Sequence, residues 1–207
     1  KRIMLINGQR AEQLRVAIVT DNQLENYQVD VAASGLCRGN IYRGVVASVQ
    51  PSLNAAFVDF GMAKDGFLAG HDIVKQAYHR QPPKGESRPR VEQVLEKGRP
   101  ILVQVTKDAM GSKGAALTTN LSLAGRYLVV TPWDSMRGLS RKVEDDAERK
   151  AIKKKAQGLS LPEGVGYIIR TNAADQPKTS LARDVSALLR LWKRIRTEGS
   201  KGRGAKL

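Results

Sequence analysis

The stretch AAFVDFGMAKDGFL, residues 55–68, holds all three phenylalanines of a 207-residue chain that is only 5% aromatic. A core would spread them out; a surface that stacks flat rings would gather them. An exposed phenylalanine offers a π face on which a nucleobase stacks, worth about 1–3 kcal/mol per base. Side chains alternate between faces along a strand. In AAFVDF, Phe57 therefore shares a face with Ala55 and Asp59, while Val58 and Phe60 share the other. The aspartate marks the wet face, so Phe60 belongs to the core and Phe57 is left outside. In DGFLAG, Asp65, Phe67 and Ala69 point one way, and Gly66 and Leu68 the other. Two outward aromatics on neighbouring strands describe a platform for single-stranded nucleic acid; the alternative is that they cover a neighbouring domain.

Other reactive groups carry less. GSKGAALTT, residues 111–119, lacks the order of a nucleotide P-loop, and Lys113 reads as a cation at a turn before a strand, able to meet a phosphate. His71 and His79, eight residues apart, read as surface residues because a metal site wants three or four convergent ligands. Asp59 and Asp65 flank the stacking face, and Glu144-Asp145-Asp146 sits at a helix start, where acids are structural. Catalytic and metal-binding residues are accordingly assigned to none of these. Arg170-Thr171, taken alone, is a solvated strand end. The single cysteine, Cys37, excludes an internal disulfide and reads as a small packed residue.

The elements that must position these residues can be read from pattern. RIMLIN, LRVAIV and ENYQVDV alternate like antiparallel strands, with Asp21-Asn22 as a turn and Ala33-Ser34-Gly35 as a break. NIYRGVVASVQ, closed by Pro51-Ser52, then AAFVDFG and DGFLAG give three short strands. HDIVKQAYHR, 71–80, reads as a short helix, and QPPKGESRPR as a polar loop unable to pack a core. RPILVQVTKD and AALTTNLSL resume the strand pattern, and five short strands fit a small OB-type barrel. Beyond GRYLVVTPW, VEDDAERKAIKKKAQG runs from acidic to basic and stops at Gly158, the charge order of a helix. GVGYIIRTN is a strand entering a turn, and LARDVSALLRLWKRI sets Leu181, Val185, Leu188, Trp192 and Ile195 on one helical stripe. Trp192 is there a core anchor, and GSKGRGAKL a basic tail or linker. The expected fold is α+β and β-rich: opening strands over 1–36, an OB-fold barrel over 37–120, and a smaller α/β region over 121–207.

The net charge of +15 and pI near 10.2 favour a polyanion as partner, nucleic acid before an acidic membrane, although a basic surface can also serve solubility alone. Arg137–Leu207 carries eighteen Lys or Arg against eight Asp or Glu, leaving +5 for the first 136 residues and suggesting two functional regions. No apolar run reaches the length of a membrane span, and MLIN is too short for a signal peptide, so a cytoplasmic protein is expected. The first residue is Lys1 rather than Met, which suggests a piece of a longer chain.

Taken together, RIMLIN, the NIYRG…PSLNAAFVDFG…DGFL block, SKGAALTTNLSLAGRYLVV, the GLSRK turn and LPEGVGYIIRT resemble the amino-terminal part of the ribonuclease E/G family, from about Arg2 to Trp192 with the 81–99 loop matched less. The resemblance implies a bacterial endoribonuclease of RNA decay and of rRNA and tRNA processing. It implies opening strands of an RNase H-like subdomain, an OB-fold RNA-binding module and a 5′-end sensor. On the family's pattern Phe57, Phe67 and Lys113 grip RNA, and Gly125, Val129, Arg170 and Thr171 form a pocket for a 5′-monophosphate. A guanidinium offers a planar fork to phosphate and a threonine adds a hydroxyl. The resemblance also implies magnesium held by paired aspartates and a tetramer assembled through zinc, both in segments beyond those matched here. No cofactor is therefore expected in this chain, which should bind single-stranded RNA with a 5′-monophosphate and cleave nothing. Full-length members homo-oligomerise and can join RNA-degrading assemblies. Two other classes remain open: a stand-alone RNA-binding protein, and a protein-interaction scaffold with Phe57 and Phe67 buried against its partner.

Overall fold

A computed structural model describes residues 1–10, 13–31, 37–83, 85–140, 142–143, 145–202, 204–205 and 207. The Ala33-Ser34-Gly35 break, Arg141 of the GLSRK turn and Glu144 lie outside the described residues. The chain is a strand-rich α+β protein that divides into two compact units, Lys1–Cys37 and Arg38–Leu207.

The first unit is an antiparallel meander of β1 (Arg2–Arg10), β2 (Gln13–Thr20) and β3 (Gln23–Val31). Its expected turn is present: Asp21 and Asn22 both take positive φ, 49° and 64°, which matches the twist of a two-residue hairpin. The sheet exposes much of its apolar content, including Met4, Leu5, Ile6, Leu24 and Tyr27. Cys37 is buried.

The second unit opens with a barrel of β4 (Ile41–Gln50), β5 (Ala55–Asp59), β6 (Gly66–Ala69), β7 (Pro100–Lys107) and β8 (Ala116–Thr118). The strands close in the order β4-β5-β6-β8-β7, with only the β6–β8 pair parallel, which is the Greek-key order of an OB fold. Val46, Ala56, Val58, Leu68, Val103, Val105 and Leu117 fill the interior, and Phe60 packs edge-on against Tyr42 at 5.1 Å.

The β6–β7 connection differs from expectation. Residues 71–80 form no α-helix but two single 3₁₀ turns, Gly70–Asp72 and Lys75–Ala77, with extended backbone at Ile73 and Val74 between them. Tertiary hydrogen bonds outweigh the local helix signal: Val74 N–H donates to Thr119 Oγ1 at 2.8 Å, and Thr119 N–H to the Asp72 carbonyl at 2.9 Å. The same bonds end β8 at Thr118, so AALTTNLSL is not one strand; Leu123 starts the next sheet instead. A short helix, α1 (Val91–Val94), buries Val91, Val94 and Leu95 where sequence pattern gave no element.

His79 is likewise not a surface residue. It is half-buried, its Nδ1 accepts from the Glu96 N–H at 3.1 Å, and its Nε2 lies 3.1 Å from the Pro100 carbonyl. An Nδ1 that accepts must be unprotonated, which makes Nε2–H the donor. His71 is exposed, 3.4 Å from Asp72.

After the barrel, β9 (Leu123–Ala124), β10 (Leu128–Thr131), β11 (Arg137–Leu139) and β12 (Gly166–Ile169) form a four-stranded sheet ordered β11-β12-β10-β9. Helices α2 (Asp146–Ala156) and α3 (Lys178–Gly199) share a core with it. On α3 the expected stripe is present: Leu181, Val185, Leu188 and Trp192 are buried, and Ile195 is partly so. Trp192 anchors that core, edge-to-face with Trp133 at 5.4 Å, a pair worth about 0.5–1.5 kcal/mol beyond its buried area.

Burial first, and then the neighbouring Arg99, hold the His79 imidazole below the ordinary histidine range despite the Pro100 contact. A lowered folded pKa contributes stability that is complete above about pH 6.5 and is lost as pH falls through the folded value. The melting temperature should therefore drop on mild acidification to pH 5.5, and drop less in His79→Gln. Glu96, lowered chiefly by the Arg80 hydrogen bond, titrates below this window. Thermal melts across pH 5–8 on both chains check this, and an identical slope in the variant would refute it.

Candidate nucleic-acid interface

The β5–β6 register sets the aromatic pair. Phe57 lies directly opposite Phe67, and their rings meet edge-to-face with centroids 5.8 Å apart. Both are partly exposed, while Ala56, Val58 and Leu68 on the other face are fully buried. Alternation thus describes both strands, except that Ala55 on the outward face is also buried.

The pairing carries this outward row around the barrel. Ser48 pairs with Phe57, Phe57 with Phe67, Phe67 with Ala116, and Ala116 with Lys107. Paired residues face the same side of a sheet, so an exposed lysine ends a row that begins with the aromatics. Lys107 escaped sequence reading because β7 is irregular between Val105 and Lys107, which breaks the alternation count.

Lys113 sits exposed in the β7–β8 loop. Met110 and Lys113 exchange backbone hydrogen bonds at 3.0 and 3.1 Å, making a tight tip at which Gly111 has φ +57°. Two contacts hold this loop to the β5–β6 connection. Lys64 Nζ donates to the Gly111 carbonyl at 2.7 Å, and Gly114 lies so close to the Asp65 carbonyl that any side chain there would collide with backbone. Phe57, Phe67, Lys113, Lys107 and Lys64 therefore lie on two adjoining loops and one face, the face and loop an OB barrel uses for oligonucleotides.

The second set of expected residues lies on the four-stranded sheet. Arg170 and Thr171 directly follow β12 and are exposed. Val129 pairs with Ile168, and Arg170 donates from its backbone N–H to the Tyr127 carbonyl and from Nη1 to the Gly125 carbonyl, both at 2.8 Å. Gly125, Val129, Arg170 and Thr171 are thus brought together, with part of the guanidinium already committed to a protein carbonyl. Asn172 and Asp184 also hold this loop: Asn172 Nδ2 donates to the Arg126 carbonyl at 2.7 Å, and Asp184 accepts from the Tyr127 N–H at 2.8 Å. A signal for Asp184 existed in the sequence, since it stands on the apolar stripe of α3 between Leu181 and Leu188, where a carboxylate requires a partner.

Among the described residues no three His, Cys, Asp or Glu side chains group so as to hold a metal ion. No described helix is long and apolar enough to cross a membrane.

Fold and site define a basic α+β protein built on an OB-type barrel. Residues 122–207 match the family model of the Ribonuclease E/G family. The chain is 39% identical over 194 residues to ribonuclease E of Escherichia coli K12, covering 93% of this chain and 18% of that protein. It is 39% identical over 203 residues to ribonuclease E of Haemophilus influenzae, covering 98% and 21%. It is 36% identical over 197 residues to ribonuclease G of Escherichia coli K12, covering 93% and 39%. Over nearly its whole length the chain is thus similar to ribonucleases E and G, and it spans 18–39% of the length of these relatives.

Losing one ring of the pair removes about 0.5–1.5 kcal/mol of aromatic contact and part of a burial worth at most about 1.5–3 kcal/mol, together below a domain's 5–15 kcal/mol. Phe57→Ala and Phe67→Ala should therefore keep a cooperative melt while weakening single-stranded RNA binding about tenfold, as measured by fluorescence titration. Unchanged affinity with an intact melt would remove the platform. Gly114→Ala should likewise weaken RNA binding by displacing the Lys113 loop, with the aromatic face untouched. Equal affinity in that variant would show the loop to be uninvolved.

Proposed function

We propose that this chain is the RNA-gripping and 5′-end-recognising part of a bacterial endoribonuclease that processes and degrades RNA in the cytoplasm. The observation that carries the reading is the Phe57–Phe67 pair, partly exposed on the outward face of an OB-type barrel in a chain of net charge +15 that is similar to ribonucleases E and G. Bases stack on the two rings, which is tolerant of sequence because every base has a π face. Lys113, Lys107 and Lys64 offer charge along the same side, so phosphates passing the rings meet cations.

A 5′-monophosphate is received where Arg170 and Thr171 leave β12. The guanidinium, held from one side by the Gly125 carbonyl, presents its remaining N–H groups to phosphate oxygens, and the Thr171 hydroxyl adds a further donor. Gly125 and Val129 shape the wall of this pocket. The opening strands belong to an RNase H-like subdomain, and the hydrolytic step needs magnesium bound by aspartates outside this chain, so the chain holds RNA without cutting it. Oligomer assembly, with zinc, is likewise a property of the longer protein.

The test is a titration at fixed salt of one unstructured RNA carrying either a 5′-monophosphate or a 5′-hydroxyl. The monophosphate form should bind about tenfold tighter, and Arg170→Ala should abolish the difference. Equal affinities in the unaltered chain would remove the 5′-phosphate reading and leave the barrel as the whole RNA site.

A further inference from the structure

The loop Gly125–Leu128 is held from inside the protein by one carboxylate. Asp184 Oδ2 accepts from the backbone N–H of Tyr127 at 2.8 Å and of Leu128 at 3.3 Å, and Oδ1 from that of Arg126 at 3.3 Å. The Gly125 N–H closes the loop onto the Leu128 carbonyl at 2.8 Å. The loop's carbonyls are bonded as well: Arg126 to Asn172 Nδ2, Tyr127 to the Arg170 N–H, and Gly125 to Arg170 Nη1. A Cβ at Gly125 would stand 2.5 Å from Asp184 Oδ2 and 2.8 Å from Leu188 Cδ1, so only glycine lets the loop approach α3 this closely.

Three consecutive amides turned toward one point form a concavity that ordinarily takes a free anion. Here it is filled by the protein's own carboxylate, whose charge the three N–H groups compensate. We infer that Asp184 is a positioning residue for the 5′-phosphate site. It fixes the loop, the loop's Gly125 carbonyl fixes the Arg170 guanidinium, and an incoming phosphate is read by the side chains of Arg170 and Thr171 rather than by the amides of residues 126–128. This rests on the phosphate reading proposed above. Asp184 is itself held by the core, because Leu181, Val185 and Leu188 on the same helix are buried. Packing of α3 and orientation of Arg170 are thereby coupled through the loop backbone and one carboxylate, and a guanidinium anchored in advance loses less freedom on taking a phosphate.

Two measurements on the whole chain test this. Amide hydrogen exchange at Arg126, Tyr127 and Leu128 should quicken at least about tenfold in Asp184→Asn, which keeps the size and removes the charge. Unchanged exchange at all three would overturn the clamp directly, whatever the ligand. The second is the paired RNA titration. In Asp184→Asn the preference for 5′-monophosphate over 5′-hydroxyl RNA should fall about tenfold while affinity for the 5′-hydroxyl form stays the same. The double variant Asp184→Asn with Arg170→Ala should be no less discriminating than Arg170→Ala alone, since the two act in series. A general structural defect would instead weaken both RNAs together. Asn172→Ala, which removes the hydrogen bond to the Arg126 carbonyl, should shift the preference in the same direction with an unchanged melt. A preference that survives Asp184→Asn, in a chain whose unaltered form discriminates, overturns the inference and leaves the phosphate site standing. An unaltered chain that does not discriminate removes both.

Discussion

Five short strands can satisfy both of their edges only by closing on themselves, and β7 does the closing, bonded on one side to β4 and on the other to β8. Once β7 lies there, β8 falls parallel to β6, and the β7–β8 loop is delivered beside the β5–β6 connection. Lys64 and Gly114 then lock the two loops together. The aromatic pair, Lys107 and Lys113 meet on one side because of this closure, although Phe57 and Lys113 are 56 residues apart in the chain. β7 also carries Gln104, a buried amide whose Oε1 accepts from the Ser122 N–H at 2.8 Å and whose Nε2 donates to the Gly39 and Ser122 carbonyls at 2.9 Å. A buried amide left without partners would cost about 1–3 kcal/mol, so this network fixes how the chain leaves the barrel and enters the second sheet.

The sheet that follows depends on α3. Its apolar stripe places Leu181, Val185, Leu188 and Trp192 in that core, the aliphatic side chains contributing about 1.5–3 kcal/mol each on burial. The same face carries Asp184, so the packing force that seats the helix also holds the loop from which Arg170 is anchored. Hydrophobic burial is non-directional, whereas a carboxylate bonded to three amides is not; the first places the helix and the second sets the geometry of the rim. The structure thus offers two surfaces of different character, an outward aromatic pair with lysines around it and a guanidinium bonded to a carbonyl of a hydrogen-bonded loop.

Much of this was readable before any coordinates. Period-two alternation located Phe57 and Phe67 outside and Phe60 and Leu68 inside, and period 3.6 found the buried face of α3. Those signals are local, since each residue's direction follows from its neighbours along one element. The failures share the opposite cause. HDIVKQAYHR has helical composition, but Thr119 competes for its backbone from more than forty residues away. His79 looks like any polar loop residue until Glu96 and Pro100 fold over it. Lys107 draws no reading because a strand irregularity shifts its register.

Residue order alone carried the inventory and its orientation: a basic chain, a β-rich barrel with aromatics left on its wet face, an amphipathic helix with Trp192 as anchor, and enough unusual strings to resemble the ribonuclease E/G family. Which of those residues meet was settled by packing. Barrel closure joined Lys107 and Lys113 to the phenylalanines, and docking of α3 turned an aspartate on an apolar stripe into the partner of a loop near residue 125. The physical reason is that side-chain direction is a short-range property of backbone geometry, whereas juxtaposition across the chain depends on strand register, burial and hydrogen-bond satisfaction, which are settled only when the whole unit packs.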